Sequence, residues 1–260
     1  AIPSVGATEN AILAACGAEG TSVIYNAARE PEIVDLQALL RSMGARVNGA
    51  GGSIITVEGG AVLHGCTHRV IGDRIVCATY LCAAAAAGGE VRLTGVDYRA
   101  VSTVALSLAE SGCEVRSEAD AVSLRSTGAL RSVRPVRTAP YPGFPTDAQP
   151  VLMAALLRSE GCTVFVENIF ENRYRHVDEL SRMGAEIRVA GRVAVVNGVR
   201  TLHGAAVKCT DLRGGAALVI AGLSAEGTTR VTELTHIDRG YDAIERDLAA
   251  LGAQIRRETT

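Results

Sequence analysis

Apolar residues along the chain alternate between short β-branched runs and longer stretches with helical spacing. The run at 21–25 is typical of a strand, and a similar run lies at 53–57. Near the end of the chain, Ile244, Leu248 and Leu251 recur at intervals of three or four residues, which predicts one face of a helix. The alternation of the two patterns predicts an α/β (α+β) fold built from units of roughly βαβαββ. Helical spacing is also shown by Leu36, Leu39, Leu40 and Met43.

The same order of elements recurs four times along the sequence. Each copy reads as an alanine-rich helix, a strand, a polar loop and a second helix that ends at a glycine, which adopts the left-handed conformation easily. The four helix-closing glycines are 68, 72 and 68 residues apart, which predicts a repeated architecture rather than one continuous parallel sheet. These glycines are Gly44, Gly112, Gly184 and Gly252.

Each loop between the strand and the second helix carries an arginine. One interpretation is a repeated structural salt bridge. The other is anion binding, because a guanidinium group binds phosphate or carboxylate in two places and helix N-termini favour negative charge. We expect a structural role for Arg99 and anion binding for Arg173 and Arg239. The four loop arginines are Arg29, Arg99, Arg173 and Arg239.

Charge and composition exclude several classes of protein. The formal net charge is −2 and the basic residues are scattered, so we expect no nucleic-acid partner and no contact with an anionic membrane surface. No uncharged apolar run reaches about 18 residues, so no transmembrane helix is predicted. The chain starts without a methionine or a signal sequence, which indicates either a break in a longer chain or removal of the methionine.

The seven cysteines form no CxxC pair, and the five histidines show no metal-ligand spacing. Most of the cysteines have apolar neighbours, as Cys16 and Cys82 do. We therefore expect small buried side chains in a reducing cytoplasm, with no disulfide framework and no metal site.

Eight segments, in order along the chain, resemble the enolpyruvyltransferase family, and within it the branch that acts on UDP-N-acetylglucosamine. Among them are the motifs FPTD at 144–147, FENR at 170–173 and HIDRGY at 236–241. Each motif alone is weak, but eight in order are specific. The segments lie at 4–10, 26–35, 69–75, 137–147, 170–173, 181–185, 210–213 and 236–241.

The resemblance implies an inverse α/β barrel fold of six such units, three per domain, with the active site in the cleft between the domains. Four of the six units are present. Residues 1–67 would be the last unit of an otherwise missing N-terminal domain, and residues 68–260 the three-unit domain of the catalytic cleft. The family's early Lys-Asn pair and its mobile loop with a reactive cysteine belong to the absent part. We expect the single unit at 1–67 to expose apolar surface.

The family's reaction is an addition–elimination that needs no metal or redox cofactor. The 3-hydroxyl of UDP-N-acetylglucosamine attacks carbon 2 of phosphoenolpyruvate, a proton adds at carbon 3, and phosphate leaves. This is the first committed step of peptidoglycan synthesis. Because the N-terminal segment is absent, we expect the chain alone to be inactive, and the missing segment is a candidate partner.

The resemblance assigns catalytic roles to Asp147 and Arg239. Asp147 would be the general base for the attacking hydroxyl; the alternative is an N-cap of the following helix, and the same alternative applies to Asp211. Arg239 would bind phosphoenolpyruvate, whose carboxylate and phosphate need fixed positive charge, while Asp238 could cap the last helix. Four side chains are expected to point into one cleft: Asp147, Arg173, Asp211 and Arg239.

Further residues are assigned to substrate binding. Ser4, Val5 and Gly6 resemble a nucleotide-contacting turn, although Ser4 or Thr8 could equally cap a helix. Arg74 resembles either a hinge salt bridge or a phosphate contact. The remaining substrate-binding candidates are Ile169, Glu171, Asn172, Arg173, Asp211 and Arg213.

Two other functions remain open on the sequence. The sister enzyme that acts on shikimate 3-phosphate shares the fold and the reaction type, but segments 4–10 and 236–241 resemble the sugar-nucleotide enzyme more. A non-catalytic repeat protein that binds a nucleotide or a partner is the second alternative.

Overall fold

The computed structural model describes residues 2–258, which pack into two compact units. Unit 1 runs to Gly72 and includes Ala139–Gly143, whereas unit 2 comprises Asp73–Thr138 and the chain from Phe144 onward. The boundary lies five residues after the predicted one at 67/68. That unit 1 is the last repeat of a larger domain stays a prediction.

Unit 1 is a single αβαββ repeat around its own small core. Its elements are α1 (Val5–Cys16), β1 (Thr21–Tyr25), α2 (Pro31–Ser42), β2 (Arg46–Asn48) and β3 (Ile54–Glu58). The strands form one antiparallel sheet in the order β1-β3-β2, and the predicted strand at 21–25 is confirmed. Ile12, Ile33 and Ile55 are fully buried in the core that the helices and the sheet share.

Unit 2 begins with a second αβαββ repeat. Its elements are α3 (Arg74–Ala87), β4 (Gly89–Thr94), α4 (Tyr98–Glu110), β5 (Glu114–Glu118) and β6 (Ala121–Ser126). The sheet order, β4-β6-β5, matches that of unit 1, with the last strand in the middle and antiparallel to both neighbours.

The third repeat is a complete βαβαββ unit. Its elements are β7 (Val136–Arg137), α5 (Gln149–Ala155), β8 (Cys162–Val166), α6 (Val177–Arg182), β9 (Glu186–Ala190) and β10 (Val193–Asn197), and short 3₁₀ turns flank α5 at Thr146–Ala148 and Leu156–Arg158. The sheet order is β7-β8-β10-β9. β7 adds parallel to β8, and the other pairs are antiparallel.

The fourth repeat contains two strands and three helices within the described residues. Its elements are β11 (Ala206–Lys208), α7 (Leu212–Leu223), β12 (Arg230–Thr232), α8 (Thr235–Asp238) and α9 (Ile244–Ala250). β11 and β12 pair in parallel, and no closing hairpin follows α9 up to residue 258. Leu251, which the spacing placed in this helix, is instead the residue after its end and is 55% exposed, so the predicted helix is one residue too long.

The repeated architecture predicted from the glycine spacing is confirmed. The strands of the described chain form four separate sheets, and three of these sheets contain the same strand order. The glycine that closes the second helix of each repeat has a φ between 91 and 109°. Residues with a side chain rarely adopt this conformation, so the spacing of these glycines marks the repeat.

The first helices of the three repeats in unit 2 pack against one another and form its centre. α5 is buried along its whole length, and α7 is buried from Gly214 to Ala221. A helix that is apolar on every side fits such a position. Close packing needs small residues here, since a Cβ on Gly215 would lie 2.7 Å from Ile237 Cγ1. Among residues 2–258, none of the helices combines the length and the apolar character required to cross a bilayer.

Candidate active site

Asp147 is held between two arginines. Arg173 Nη2 donates a hydrogen bond to Asp147 Oδ1 at 2.8 Å, and Arg213 Nε donates one to Oδ2 at 3.2 Å. The two arginine side chains are 15% and 11% exposed, whereas Asp147 is 39% exposed. The two cationic partners fix the orientation of the carboxylate, and each oxygen keeps a further lone pair for a hydroxyl group.

Three separate parts of unit 2 bring these residues together. Asp147 lies in the 3₁₀ turn before α5, Arg173 in the loop between β8 and α6, and Arg213 in the first turn of α7. The helix-cap alternative for Asp147 is wrong, because neither this turn nor α5 has a side-chain cap hydrogen bond. The carboxylate pairs with the arginines instead.

Asp211 caps α7, and its charge also acts on the same cluster. Its side chain accepts hydrogen bonds from the backbone amides of Arg213 at 3.1 Å and Gly214 at 2.8 Å. Burial alone would raise the pKa of Asp211, but the Gly214 amide and the charge of Arg173 outweigh burial and hold this pKa below its usual range. The capping interpretation of Asp211 is confirmed, and its role in substrate binding stays a prediction.

His176 is a fully buried side chain beside Asp211. Burial lowers the pKa of His176 to about 4, and Arg173 acts in the same direction, although Asp211 opposes both. A Cβ on Gly214 would lie 2.9 Å from the Cβ of His176 and 2.8 Å from Asp211 Oδ2. Glycine at this position therefore lets both side chains lie against the start of α7, and the imidazole is neutral near pH 7.

Arg213 is held in place by Tyr241 of the fourth repeat, which in turn contacts Thr79 of the second repeat. Arg213 Nη1 donates to Tyr241 Oη at 3.0 Å, and the guanidinium carbon lies 5.4 Å from the centre of the tyrosine ring. Tyr241 Oη also hydrogen-bonds Thr79 Oγ1, in α3, at 2.8 Å. Burial acts to lower the pKa of Arg213, but Tyr241 and Asp147 outweigh burial and raise it. Arg213 is thus a permanent cation in a fixed orientation.

Glu167 is a residue of the site that the sequence reasoning missed. It directly follows β8, it is 1% exposed, and its carboxylate accepts hydrogen bonds from Thr138, Thr146 and the loop after it. The available signal was its place at the end of a β-branched run, three residues before the FENR motif. A glutamate in a sequence is usually exposed, so its burial was not expected.

The remaining loop candidates line the surface beside Arg173. Ile169 is half-buried, while Glu171 and Asn172 are exposed. Glu171 and Asn172 line an open pocket of about 530 Å³ together with Arg173 and Lys208. A pocket of this volume suits a small ligand.

Arg239 lies outside the hydrogen-bonded cluster. It follows α8, and its exposed side chain makes no hydrogen bond or ion pair with the part of the chain that the structure describes. Asp238 does not cap the last helix, because it ends α8 and pairs with Arg257 at 2.6 Å, while Ala243 occupies the N-cap of α9. The catalytic role of Arg239 stays a prediction.

Two further groups of candidates lie at the starts of helices. In unit 1, Ser4 caps α1 through a backbone hydrogen bond of 3.3 Å to its Oγ, and Val5 and Gly6 form the first turn. In unit 2, Arg74 is the half-buried first residue of α3. The capping alternative for Ser4 is confirmed, and the binding roles of these four residues stay predictions.

The cluster can perform acid–base chemistry next to anions. A half-exposed, oriented carboxylate can accept a proton from a hydroxyl group. Buried guanidinium groups such as those of Arg173 and Arg213 can stabilise negative charge that develops on oxygen atoms. Across residues 2–258, no three or more His, Cys, Asp or Glu side chains are grouped as metal ligands would be.

Comparisons with known proteins agree with the resemblance. Residues 1–248 match the family model of EPSP synthase (3-phosphoshikimate 1-carboxyvinyltransferase). The chain is 53% identical over 254 residues to a UDP-N-acetylglucosamine 1-carboxyvinyltransferase of Gluconacetobacter diazotrophicus, and 52% identical over 255 residues to UDP-N-acetylglucosamine 1-carboxyvinyltransferase 1 of Symbiobacterium thermophilum. Both alignments cover 98% of this chain but 60% and 58% of the relatives. The chain therefore spans about 60% of the length of the curated relatives that it matches.

Solved structures show the same fold. The crystal structure of the enolpyruvyl transferase NikO from Streptomyces tendae matches with a TM-score of 0.85 and 29% identity, over 96% of this chain and 60% of NikO. EPSP synthase from Acinetobacter baumannii matches with a TM-score of 0.74 and 20% identity, over 99% of this chain and 62% of that enzyme. The predicted α/β fold class is confirmed. The family model, the curated relatives and the shared fold together show that the chain belongs to the EPSP synthase (3-phosphoshikimate 1-carboxyvinyltransferase) family.

Proposed function

We propose that the chain is the larger part of an enzyme that transfers the enolpyruvyl group of phosphoenolpyruvate to the 3-hydroxyl of UDP-N-acetylglucosamine, the first committed step of peptidoglycan synthesis. The observation that carries the proposal is the half-exposed Asp147 carboxylate between two nearly buried arginines. Identity above 50% to relatives named for this acceptor supports the choice of the sugar nucleotide. Because the chain spans about 60% of their length, the activity is proposed for the complete protein.

Asp147 is the general base of this reaction. Its carboxylate accepts the proton of the 3-hydroxyl as the oxygen attacks carbon 2 of phosphoenolpyruvate and carbon 3 takes up a proton. The tetrahedral intermediate then loses phosphate together with a proton from carbon 3, and the double bond forms again. Arg173 and Arg213 keep the carboxylate oriented toward the hydroxyl, which a general base requires.

The anionic groups of the substrates are bound by the remaining candidates. Arg239 contacts phosphoenolpyruvate, and its exposed, uncommitted guanidinium group supports this role. The free amides of the first turn of α1, at Ser4, Val5 and Gly6, suit a diphosphate group. The other proposed substrate contacts are Arg74, Ile169, Glu171, Asn172, Arg173, Asp211 and Arg213.

The sister reaction on shikimate 3-phosphate is less well supported. The family model carries that name, but identity to the EPSP synthase of Acinetobacter baumannii is 20%, compared with more than 50% to the sugar-nucleotide enzymes. A cytoplasmic location is part of the proposal, and the seven cysteines, all free thiols, support it.

Phosphate release tests the proposal. The chain is incubated with phosphoenolpyruvate and UDP-N-acetylglucosamine, alone and after mixing with the N-terminal portion of the Gluconacetobacter relative made as a separate polypeptide. We expect phosphate only after mixing, because the chain alone lacks part of the enzyme and cannot hold both substrates together. Release by the chain alone would overturn the expected incompleteness. Release with shikimate 3-phosphate instead of the sugar nucleotide would assign the sister reaction, and binding of UDP-N-acetylglucosamine without release in any mixture would favour a non-catalytic repeat protein.

A further inference from the structure

Glu167 contacts two segments of the candidate site through its two carboxylate oxygens. Oε1 accepts hydrogen bonds from the backbone amides of Ile169 at 2.8 Å and Phe170 at 3.0 Å, and from Thr138 Oγ1 at 2.9 Å. Oε2 accepts one from Thr146 Oγ1 at 3.0 Å. All four partners are neutral, and the side chain is 1% exposed.

A buried carboxylate is unfavourable unless its hydrogen bonds are satisfied. The four donors around Glu167 meet this requirement, and two of them are backbone amides that can only donate. The carboxylate is thus the acceptor that closes the turn after β8. A residue with a shorter or an apolar side chain would leave those amides without a partner.

The two segments that Glu167 joins carry the two members of the Asp147–Arg173 ion pair. Thr146 is the residue before Asp147. Phe170 leads into the Arg173 loop, and its ring centre lies 5.5 Å from the Arg173 guanidinium carbon. Arg173 also donates to the backbone oxygen of Thr146 at 3.4 Å. Glu167 is therefore connected to Asp147 through Thr146, and to Arg173 through the ring of Phe170.

We propose that Glu167 is a positioning residue that sets the geometry of the Asp147–Arg173 pair by tying the turn before α5 to the loop after β8. Its catalytic consequence rests on the proposed function, in which Asp147 is the base. A shift of the Asp147 turn relative to the Arg173 loop moves the carboxylate away from the hydroxyl without removing any group that binds substrate. Turnover then falls while substrate affinity is kept.

The decisive variant is Thr146→Val, which removes the Oε2 contact and keeps the shape of the side chain. The control is Ser123→Ala on β6, which removes a hydroxyl-to-carboxylate hydrogen bond of the same kind, 3.2 Å to Glu118. Glu167→Ala removes both connections, and Glu167→Gln restores an acceptor for the amides and a polar group for Thr146. Each variant is made in this chain and assayed after mixing with the N-terminal portion of the relative.

We expect kcat to fall about tenfold in Thr146→Val and about a hundredfold in Glu167→Ala, with KM for both substrates within about twofold of wild type. The kcat of Glu167→Gln should be at least about tenfold higher than that of Glu167→Ala, and the kcat of Ser123→Ala should match wild type. Normal kcat in Thr146→Val, or a rise in KM that accounts for the whole loss, would overturn the proposal. Failure of Glu167→Gln to exceed Glu167→Ala would also contradict it.

Amide hydrogen exchange in the chain alone provides a readout that does not depend on the reaction. In Thr146→Val, residues 169–173 should exchange faster than in wild type and in Ser123→Ala, because the two segments are no longer tied together. Faster exchange only at the Thr146 turn would overturn the positioning role. If wild type releases no phosphate after mixing, the proposed function fails, whereas the exchange result still decides whether Glu167 couples the two segments.

Discussion

The first helix of the repeat is buried differently in the two units. In unit 1, α1 has one buried face, with Ile12 fully buried and Leu13 50% exposed. In unit 2, α7 has the same place in its repeat and is buried on every side from Gly214 to Ala221. The difference arises because α7 packs against α3 and α5, the first helices of the other repeats of unit 2. A single repeat does not enclose its own first helix.

Most of the large apolar side chains that the chain exposes belong to unit 1. Of the fourteen large apolar side chains exposed within residues 2–258, ten belong to unit 1, although it is the smaller unit. The expectation that the single repeat exposes apolar surface is confirmed. A single repeat buries a small core of its own, such as Ile12, Ile33 and Ile55, but the rest of its apolar surface is covered only when neighbouring repeats pack on it.

The arginines predicted for the strand-to-helix loops differ between the second and third repeats. Arg99 is the second residue of α4 rather than a loop residue, and it forms an exposed ion pair with Asp97 at 2.6 Å, which confirms its structural interpretation. Arg173 lies in the loop before α6, is nearly buried and pairs with Asp147. The two arginines therefore differ both in their place in the repeat and in their burial.

The largest effect on the comparison between units should come from the centre of unit 2. Leu218→Ala in α7 removes a fully buried side chain, and we expect the free energy of unfolding to fall by about 2–5 kcal/mol. Leu13→Ala on the exposed face of α1 should change it by less than about 0.5 kcal/mol. Urea unfolding followed by far-ultraviolet circular dichroism measures both. Equal losses would show that the two helices are packed alike.

The second prediction separates the two kinds of acid–arginine pair. Asp147→Asn should reduce turnover of the complete enzyme by about 100-fold or more, because the general base is lost, and should leave the fold intact. Asp97→Asn is the matched control, since it breaks the exposed pair with Arg99 and asparagine still caps a helix. Steady-state phosphate release measures both variants. Near-normal turnover in Asp147→Asn at saturating substrates would exclude it as the base.

Much of the fold could be predicted from the sequence because glycine and β-branched residues act locally. The strand at 21–25 and the four left-handed helix-closing glycines follow from each residue's own conformational preference. The end of α9 was misplaced because Leu251 continues the helical spacing past the last turn. The compact units divide at Gly72, five residues after the predicted boundary, and Asp73 caps the helix that starts unit 2.

The site was predicted less completely because it depends on contacts between repeats. The FPTD and FENR motifs indicated Asp147 and Arg173, and these residues do form a pair. The place of Glu167 at the end of a β-branched run does not by itself show that the side chain is buried, and the sequence does not show that Tyr241 contacts Thr79, 162 residues away. Such long-range contacts require the fold.

The third prediction concerns His176, a buried histidine of unit 2. The pKa of His176 is about 4 in the folded chain, below its ordinary value of about 6.5 in the unfolded chain. Between these values the unfolded chain binds a proton that the folded chain does not, so stability falls as the pH falls. The loss should be roughly 2 kcal/mol between pH 6.5 and pH 5.

His176→Gln removes this titration and should flatten the dependence of unfolding free energy on pH by the same amount. Urea unfolding at pH 7, 6 and 5 gives the slope of unfolding free energy against pH for wild type and for His176→Gln, and these two slopes are compared. The pKa of Asp211, the neighbouring acid, lies below its usual range, so its titration falls below this window. Parallel slopes in wild type and variant would show that His176 does not titrate in this way.

The fourth prediction concerns the exposed face of the sheet in unit 1, where substitutions should have the smallest effect on stability. Val23 and Tyr25 alternate along β1, Tyr25 pairs with Ile54 across the sheet, and all three side chains are exposed. Replacing Val23 and Tyr25 by threonine keeps the strand preference and should change the free energy of unfolding by less than about 0.5 kcal/mol. Self-association should nevertheless weaken, since an exposed apolar patch is what favours it.

Leu106→Ser on α4 is the control, because Leu106 is a single exposed apolar side chain of unit 2. Sedimentation velocity of the chain alone, over a range of concentrations, compares the three proteins. Weaker self-association of the double variant than of Leu106→Ser would show that the exposed sheet face of unit 1 promotes self-association. Equal self-association of all three proteins would show that this face does not contribute.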